Sequence, residues 1–157
     1  MTQTVTQTQQ GPAAAVSRSR FHDPFVTADG DERAQVVLKK LDTLWFNTGT
    51  LCNLACVNCY IESSPRNDRL QYLTTAEVTA YLDEIEQDGL GTREIGFTGG
   101  EPFMNPELPA MLQLALARGF EVLVLTNAMR PMLKCADDLL LLQERFGGQL
   151  TLRVSID

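Results

Sequence analysis

Two hydrophobic patterns alternate along this chain. Short, mainly apolar runs occur at residues 44–46, 93–97, 121–125 and 150–156, and between them apolar residues recur every three or four positions. Unbroken apolar runs are typical of strands buried on both faces of a parallel sheet, and the longer spacing is typical of the buried face of a helix. The alternation of strands with helices predicts an α/β fold with a parallel sheet, built from right-handed crossovers.

Three helices are predicted between these strands. The first begins at a capping box, in which the Thr74 hydroxyl and the Glu77 carboxylate bind each other's backbone N–H groups. It ends at Gly89, since glycine readily ends a helix. The third is predicted over residues 131–146. Residues 31–41 fit either a helical face or the start of a strand, and both alternatives stay open.

Three cysteines follow the first predicted strand on one short loop. Cys52, Cys56 and Cys59 have the spacing C-x3-C-x2-C. Three close thiolates can hold three corners of an iron–sulfur cube, since soft thiolate ligands suit iron. With no fourth cysteine nearby, one iron of such a cluster would stay open to bind a group that is not protein. The loop therefore predicts a reactive iron–sulfur centre rather than a simple electron store.

A structural zinc site is the alternative for these cysteines. Structural zinc uses four closed ligands, usually arranged as C-x2-C pairs. The only other cysteine is Cys135 and the only histidine is His22, and neither has the paired spacing of a zinc module. On the third predicted helix, Cys135 is expected to be a buried or half-buried thiol. The spacing favours iron–sulfur over zinc, and both remain open.

A glycine pair follows the second predicted strand, in the segment Gly99-Gly100-Glu101-Pro102. Paired glycines just past a strand allow positive φ angles and let a ligand approach the backbone closely. The Glu101 carboxylate can bind a cationic group, such as the ammonium of an amino acid. Taken alone, the segment also fits an ordinary tight turn.

The cysteine spacing and the Gly-Gly-Glu-Pro segment, in this order, resemble the motifs of the radical S-adenosylmethionine (radical SAM) superfamily over roughly residues 41–157. The resemblance implies that the three loop cysteines bind a [4Fe–4S] cluster, whose open iron binds the amino and carboxylate groups of S-adenosylmethionine. It also implies that residues 99–102 help to bind the methionine amino group. One position departs from the family pattern: the residue before the third cysteine is often aromatic there, and here it is Asn58.

The resemblance further implies a partial (βα)6 TIM-like barrel, of which about four strands and three helices are present. In the family, a reductant such as a flavodoxin or ferredoxin supplies one electron, and the resulting 5′-deoxyadenosyl radical abstracts hydrogen from a substrate. Because the full family core has six strand–helix units, we expect this chain to be the front part of a longer enzyme. Its substrate is not indicated, and no residue here is assigned a catalytic role.

Polar residues also follow the later predicted strands. Barrel-like α/β folds have their active sites at the carboxyl ends of the strands. Thr126, Asn127 and Ser155 lie at such ends, and Asp157 follows the last strand. The resemblance makes these residues candidate contacts to the ribose of S-adenosylmethionine or to substrate. Ordinary turn polarity would explain them equally well.

Composition excludes several other classes of function. The chain has 157 residues, which is the length of one domain, and a formal net charge of -7. An acidic balance argues against a nucleic-acid-binding face, and no apolar run approaches the ~20 residues that span a bilayer. Clustered cysteines suit a reducing compartment, so we expect a cytoplasmic protein that has no membrane partner.

Residues 1–30 are predicted to be a disordered leader, because they combine Thr-Gln repeats with low hydrophobicity. Residues 31–157 would then form the incomplete radical SAM core domain. Three functions remain open. The first is a radical SAM enzyme, the second a non-catalytic iron–sulfur or cofactor-binding subunit completed by a partner chain, and the third a zinc-stabilised binding module.

Overall fold

The computed structural model describes residues 23–156. The chain divides into two compact units, Met1–Val37 and Leu38–Asp157. Most of the predicted disordered leader, including His22, lies outside the described residues, as does Asp157. The predicted domain boundary at residue 30 therefore stays a prediction.

The ambiguous segment 31–41 contains neither a helix nor a strand. In the first unit, an isolated antiparallel bridge joins Val26 to Glu32. Val36 and Val37 are exposed. Because these side chains bury little surface, the apolar pattern of this segment gives no regular element.

The second unit is built on a four-stranded parallel sheet. Its strands are β1 (Thr43–Asn47), β2 (Glu94–Thr98), β3 (Glu121–Thr126) and β4 (Leu150–Val154). They pair in chain order, so that β1 and β4 form the edges. The predicted α/β fold with a parallel sheet is confirmed. The last strand ends at Val154, two residues before the predicted end.

Helices connect consecutive strands. They are α1 (Thr75–Gln87), α2 (Leu108–Ala117), α3 (Arg130–Leu133) and α4 (Ala136–Phe146). The predicted capping box of α1 is confirmed: the Thr74 hydroxyl accepts the Glu77 N–H, and the Thr74 N–H donates to the Glu77 carboxylate at 2.8 Å. Among the described residues, no helix is long and apolar enough to cross a membrane.

The prediction of one continuous helix over residues 131–146 is wrong. The Cys135 N–H donates to the carbonyl of Met132 at the end of α3, and the Cys135 carbonyl accepts the Leu139 N–H at the start of α4. With φ −102° and ψ 15°, Cys135 is not helical. Leu142 is buried whereas Leu140 is exposed, so only one face of α4 packs against the core.

The hydrophobic core lies between one face of the sheet and helices α1 and α2. Alternate residues of a strand lie on the same face, and Phe46, Phe97 and Val124 occupy adjacent positions of β1, β2 and β3. The rings of Phe46 and Phe97 stack at a centroid distance of 5.6 Å. As the three-to-four spacing predicts, α1 and α2 bury continuous apolar stripes, which comprise Val78, Leu82, Ile85, Leu108, Met111, Leu112, Ala115 and Leu116.

Trp45 lies on the opposite face of the sheet from this core. It is 43% exposed, so the prediction that residues 44–46 form a strand buried on both faces is wrong at this position. Its neighbour in the register is Gly96. A Cβ atom at Gly96 would collide with the Trp45 ring. The glycine therefore lets the indole lie across the β1–β2 pair.

Substituting Gly96→Ala should destabilise the sheet by about 1–3 kcal/mol, the usual cost of overpacking a filled site. The free energy of unfolding can be measured in urea by the fluorescence of Trp45, the only tryptophan in the sequence. Gly148→Ala is the matched control, because an added Cβ there meets no atom within 4 Å. Equal unfolding midpoints for the two variants would contradict the packing argument.

Candidate functional site

The carboxyl ends of the four strands lie together at one end of the sheet and form the candidate site. The cysteine loop follows β1, residues 99–102 follow β2, and Thr126 and Asn127 stand at the end of β3. Ser155 follows β4, and its N–H donates to the Thr126 carbonyl at 2.9 Å. Because all four strands are parallel, their carboxyl ends lie at the same end of the sheet. The structure thus brings the segments predicted from the sequence to that end.

The backbone after β1 binds the backbone after β2. The Gly100 N–H donates to the carbonyl of Gly49 at 2.9 Å, and the Glu101 N–H donates to the carbonyl of Leu51 at 3.0 Å. A Cβ atom at Gly100 would collide with the Leu51 carbonyl oxygen, and Gly99 has φ +144°. The glycine pair therefore permits the close approach of the chain's own backbone at the base of the cysteine loop.

Glu101 binds the end of β3 through its carboxylate. The side chain is only 2% exposed. One carboxylate oxygen accepts the Thr126 hydroxyl at 2.7 Å and the Phe103 N–H at 3.2 Å, and the other accepts the Asn127 N–H at 2.9 Å. A carboxylate has about four acceptor positions, so these three donors leave room for about one more. The predicted contact of Glu101 with an external cation stays a prediction.

The cysteine loop is closed at its base and built from successive turns. The Cys52 N–H donates to the Ser64 carbonyl at 3.2 Å. Within the loop, the Cys59 N–H donates to the Cys56 carbonyl and the Glu62 N–H donates to the Cys59 carbonyl. Cys52 is buried, Cys59 is half-buried and Cys56 is exposed. The three thiols therefore run from the interior of the site to its surface.

Backbone N–H groups point at the sulfur atoms of Cys52 and Cys59. The Leu54 N–H donates to Cys52 Sγ at 3.4 Å, and the Ser63 N–H donates to Cys59 Sγ at 3.2 Å. Burial raises the pKa of the Cys52 thiol, and the negative charges of Glu101 and the other two cysteines add to this effect.

The Cys59 thiol has the opposite shift. Its partial burial favours the neutral thiol, but hydrogen bonds from the backbone N–H groups of Ser63, Ile61 and Glu62 together outweigh that effect and lower its pKa. The turn that supplies these donors contains Glu62 at φ +53°, in the left-handed region. Directed N–H groups stabilise the thiolate, which is the form that binds metals.

A [4Fe–4S] cluster fits this donor set. Within residues 23–156, no group of three or more histidine, cysteine, aspartate or glutamate side chains is arranged to hold a metal ion. A four-iron cube does not need that arrangement, because each cysteine binds a different iron. Thiolates that receive N–H hydrogen bonds are also typical cluster ligands.

A hydrogen-bond network that the sequence did not indicate joins the cysteine loop to β3. The Asn127 side-chain amide donates to Asn53 Oδ1 at 3.0 Å and lies 3.9 Å from Cys52 Sγ. The Asn53 amide in turn contacts Met129 Sδ at 3.7 Å. No local pattern predicts these contacts, because the loop and β3 are more than 70 residues apart.

The remaining predicted positions differ in exposure. Thr126 and Pro102 are buried, whereas Ser155 and Asn58 are exposed. Thr126 donates its hydroxyl to Glu101, so this group is already satisfied within the protein. The predicted contacts of Thr126, Asn127 and Ser155 with a ribose or with substrate stay predictions.

Solved structures share this fold. The crystal structure of Streptococcus suis SuiB bound to S-adenosylmethionine superposes with a TM-score of 0.60 at 17% identity, covering 76% of this chain and 26% of that chain. A second crystal structure of Streptococcus suis SuiB gives a TM-score of 0.59 at 16% identity, covering 76% of this chain and 25% of that one. At these identities the likeness shows the fold.

Curated relatives match about half of this chain. GTP 3′,8-cyclase of Chlorobaculum tepidum is 35% identical over 78 residues, which is 48% of this chain and 22% of that protein. Fe-coproporphyrin III synthase of Methanosarcina barkeri is 34% identical over 89 residues, or 57% of this chain and 21% of that one. The antilisterial bacteriocin subtilosin biosynthesis protein AlbA of Bacillus subtilis is 37% identical over 76 residues, which is 48% of this chain and 16% of that protein.

These matches span about a fifth of the length of the curated relatives. The sequence profile described as "Radical SAM superfamily" matches residues 46–157, which include the cysteine loop, the glycine–glutamate turn and all but the first three residues of the sheet. The resemblance noted in the sequence is thereby confirmed: the chain belongs to the radical SAM superfamily.

Proposed function

We propose that this chain provides the cluster-binding and S-adenosylmethionine-binding part of a radical SAM enzyme. Cys52, Cys56 and Cys59 would bind a [4Fe–4S] cluster, and residues 99–102 would help to bind the amino group of S-adenosylmethionine. When bound, this pair supplies a one-electron reductive cleavage that yields a 5′-deoxyadenosyl radical for hydrogen abstraction. A flavodoxin or ferredoxin is the proposed electron donor, and the cytoplasm the proposed compartment.

One observation supports this proposal most directly: the cysteine loop and the glycine–glutamate turn are hydrogen-bonded to each other. Gly100 and Glu101 donate to carbonyl groups in residues 49–51, immediately before Cys52. A site that must hold a cluster beside a second cofactor needs both binding segments fixed in one frame. The backbone contacts supply such a frame, and the N–H groups directed at Cys59 favour a thiolate ligand there.

The substrate stays open within this proposal. The relatives are named for a GTP cyclase, a coproporphyrin synthase and a bacteriocin biosynthesis protein, so their names do not agree on one substrate. The proposal therefore concerns radical generation, which is common to the family, and leaves the acceptor of the radical unassigned.

The test is reductive cleavage of S-adenosylmethionine by the anaerobically reconstituted chain. After reduction with dithionite, chromatography should detect 5′-deoxyadenosine, in amounts that depend on both the reductant and S-adenosylmethionine. A chain that carries iron and sulfide but forms no 5′-deoxyadenosine would contradict a catalytic role. A colourless chain that holds zinc and no sulfide would instead identify a zinc-stabilised module.

An apolar groove favours a second candidate, a cofactor-binding subunit completed by another chain. The groove lies between α3, α4 and the edge strand β4 and has a volume of about 340 Å³. Leu133 and Leu140, which line it, are 63% and 67% exposed. This candidate predicts cluster binding without 5′-deoxyadenosine formation until the partner is added. Co-purification from native cells, followed by the same cleavage assay, separates it from the first.

A further inference from the structure

Asn127 contacts both motifs of the site at once. Its backbone N–H donates to the Glu101 carboxylate at 2.9 Å. Its side-chain amide carries two hydrogens. The amide nitrogen lies 3.0 Å from Asn53 Oδ1 and 3.9 Å from Cys52 Sγ. One residue therefore links the glycine–glutamate turn to the sulfur of a proposed cluster ligand.

The turn after β3 holds this side chain in place. Asn127 Oδ1 accepts the Met129 N–H at 3.0 Å, and the Thr126 hydroxyl accepts the Ala128 N–H at 3.0 Å. Ala128 itself has φ +55°, in the left-handed region that residues other than glycine seldom adopt. Such strain persists only where neighbouring contacts hold it. These contacts leave the amide N–H₂ group of Asn127 directed at the cysteine loop.

We propose that Asn127 is a positioning residue that raises the reduction potential of the cluster by donating an amide hydrogen toward Cys52 Sγ. The inference rests on the proposed function, since it needs a cluster on Cys52. Reduction adds negative charge to a cluster, and hydrogen bonds to its sulfur atoms stabilise that charge. Groups behind the direct ligands tune metal sites in this way. Asn127 would thus set how readily the bound cluster accepts an electron.

Two substitutions separate this role from simple support of the turn. Asn127→Asp keeps an oxygen that can accept the Met129 N–H, but it replaces the donor with a negative charge. Asn127→Ala removes both the donor and the acceptor. A donor role predicts that both variants have midpoint potentials more negative than the wild-type chain, with aspartate the more negative. A purely structural role predicts lower stability in the alanine variant, recovery in the aspartate variant and no change in potential.

The experiment is a redox titration of the full reconstituted chain, followed by electron paramagnetic resonance without S-adenosylmethionine. Met129→Leu is the matched control, because it removes the sulfur acceptor of the Asn53 amide and leaves the contacts of the Asn127 side-chain amide intact. Its potential should equal the wild-type value. If the alanine variant does not fold, the aspartate variant carries the test, because it preserves the acceptor in the turn.

Failure of the inference can be distinguished from failure of the proposed function. The inference fails, and the proposed function stands, if the wild-type chain binds a cluster and the Asn127 variants have the same reduction potential as the wild-type chain. The same conclusion follows if Met129→Leu shifts the reduction potential as much as the Asn127 variants do. If the wild-type chain takes up no iron and sulfide at all, the proposed function fails and the inference fails with it. Iron and sulfide analysis of the wild-type chain tells these cases apart before the titration begins.

Discussion

Replacing Cys52, Cys56 or Cys59 with alanine is expected to abolish stable uptake of iron and sulfide by the reconstituted chain. Each substitution removes one of only three thiolates on the loop. Loss of a residue that merely supports a ligand lowers metal affinity by about 10–100-fold, so loss of the ligand itself should cost at least as much. Iron and acid-labile sulfide per chain, together with the visible absorbance of the cluster, measure the effect.

Cys135→Ala is the control for these three variants. Cys135 is a half-buried thiol between α3 and α4, and burial raises its pKa. It packs against the hydrophobic core rather than in the cysteine loop. The variant should bind as much iron and sulfide as the wild-type chain. Equal loss of cluster in the Cys135 variant, or full retention in all three loop variants, would contradict the assignment of ligands.

Features that depend on neighbouring residues could be predicted from the sequence. The capping box of α1 needs only Thr74 and Glu77, which are three residues apart, so its pattern is visible in the chain. The cysteine spacing and the glycine pair are equally local. Because parallel strands bring their carboxyl ends to one edge, the order of strands and helices also predicted that these segments would meet there.

Features that depend on contacts between distant segments could not be predicted in this way. Glu101 is 25 residues before Thr126 in the chain, and nothing local indicates that its carboxylate accepts the Thr126 hydroxyl. The position of the Trp45 ring depends on the absence of a Cβ atom at Gly96, which lies on another strand. Cys135 divides a region that is apolar enough to suggest one helix. In each case, tertiary packing decides between conformations that the local sequence permits.

Glu101 has a structural role that its sequence motif did not indicate. From sequence, a carboxylate after two glycines appeared available to an external cation. In the structure, its two oxygens accept three hydrogen bonds from the protein, and the side chain is almost fully buried. The carboxylate therefore connects β2 to β3. Loss of this group should affect folding as well as any binding.

Glu101→Leu is expected to lower the free energy of unfolding by about 2–6 kcal/mol. The substitution leaves the buried N–H group of Phe103 and the buried hydroxyl group of Thr126 without an acceptor, and each unsatisfied buried donor costs roughly 1–3 kcal/mol. Glu101→Gln should cost about 1–3 kcal/mol, because its amide oxygen satisfies one side of the network while its N–H₂ group faces a donor on the other. Denaturant unfolding monitored by circular dichroism measures both changes.

Glu107→Gln provides the matched control for Glu101→Gln. The Glu107 carboxylate accepts the Thr75 N–H at 2.8 Å, and it lies at the exposed surface. A glutamine oxygen can accept the same bond, so little change in stability is expected. If Glu101→Leu unfolded at the same denaturant concentration as Glu107→Gln, the carboxylate would not be the connection between β2 and β3. A graded loss, greatest for leucine and smaller for glutamine, is the expected result, because the number of satisfied buried donors falls in that order.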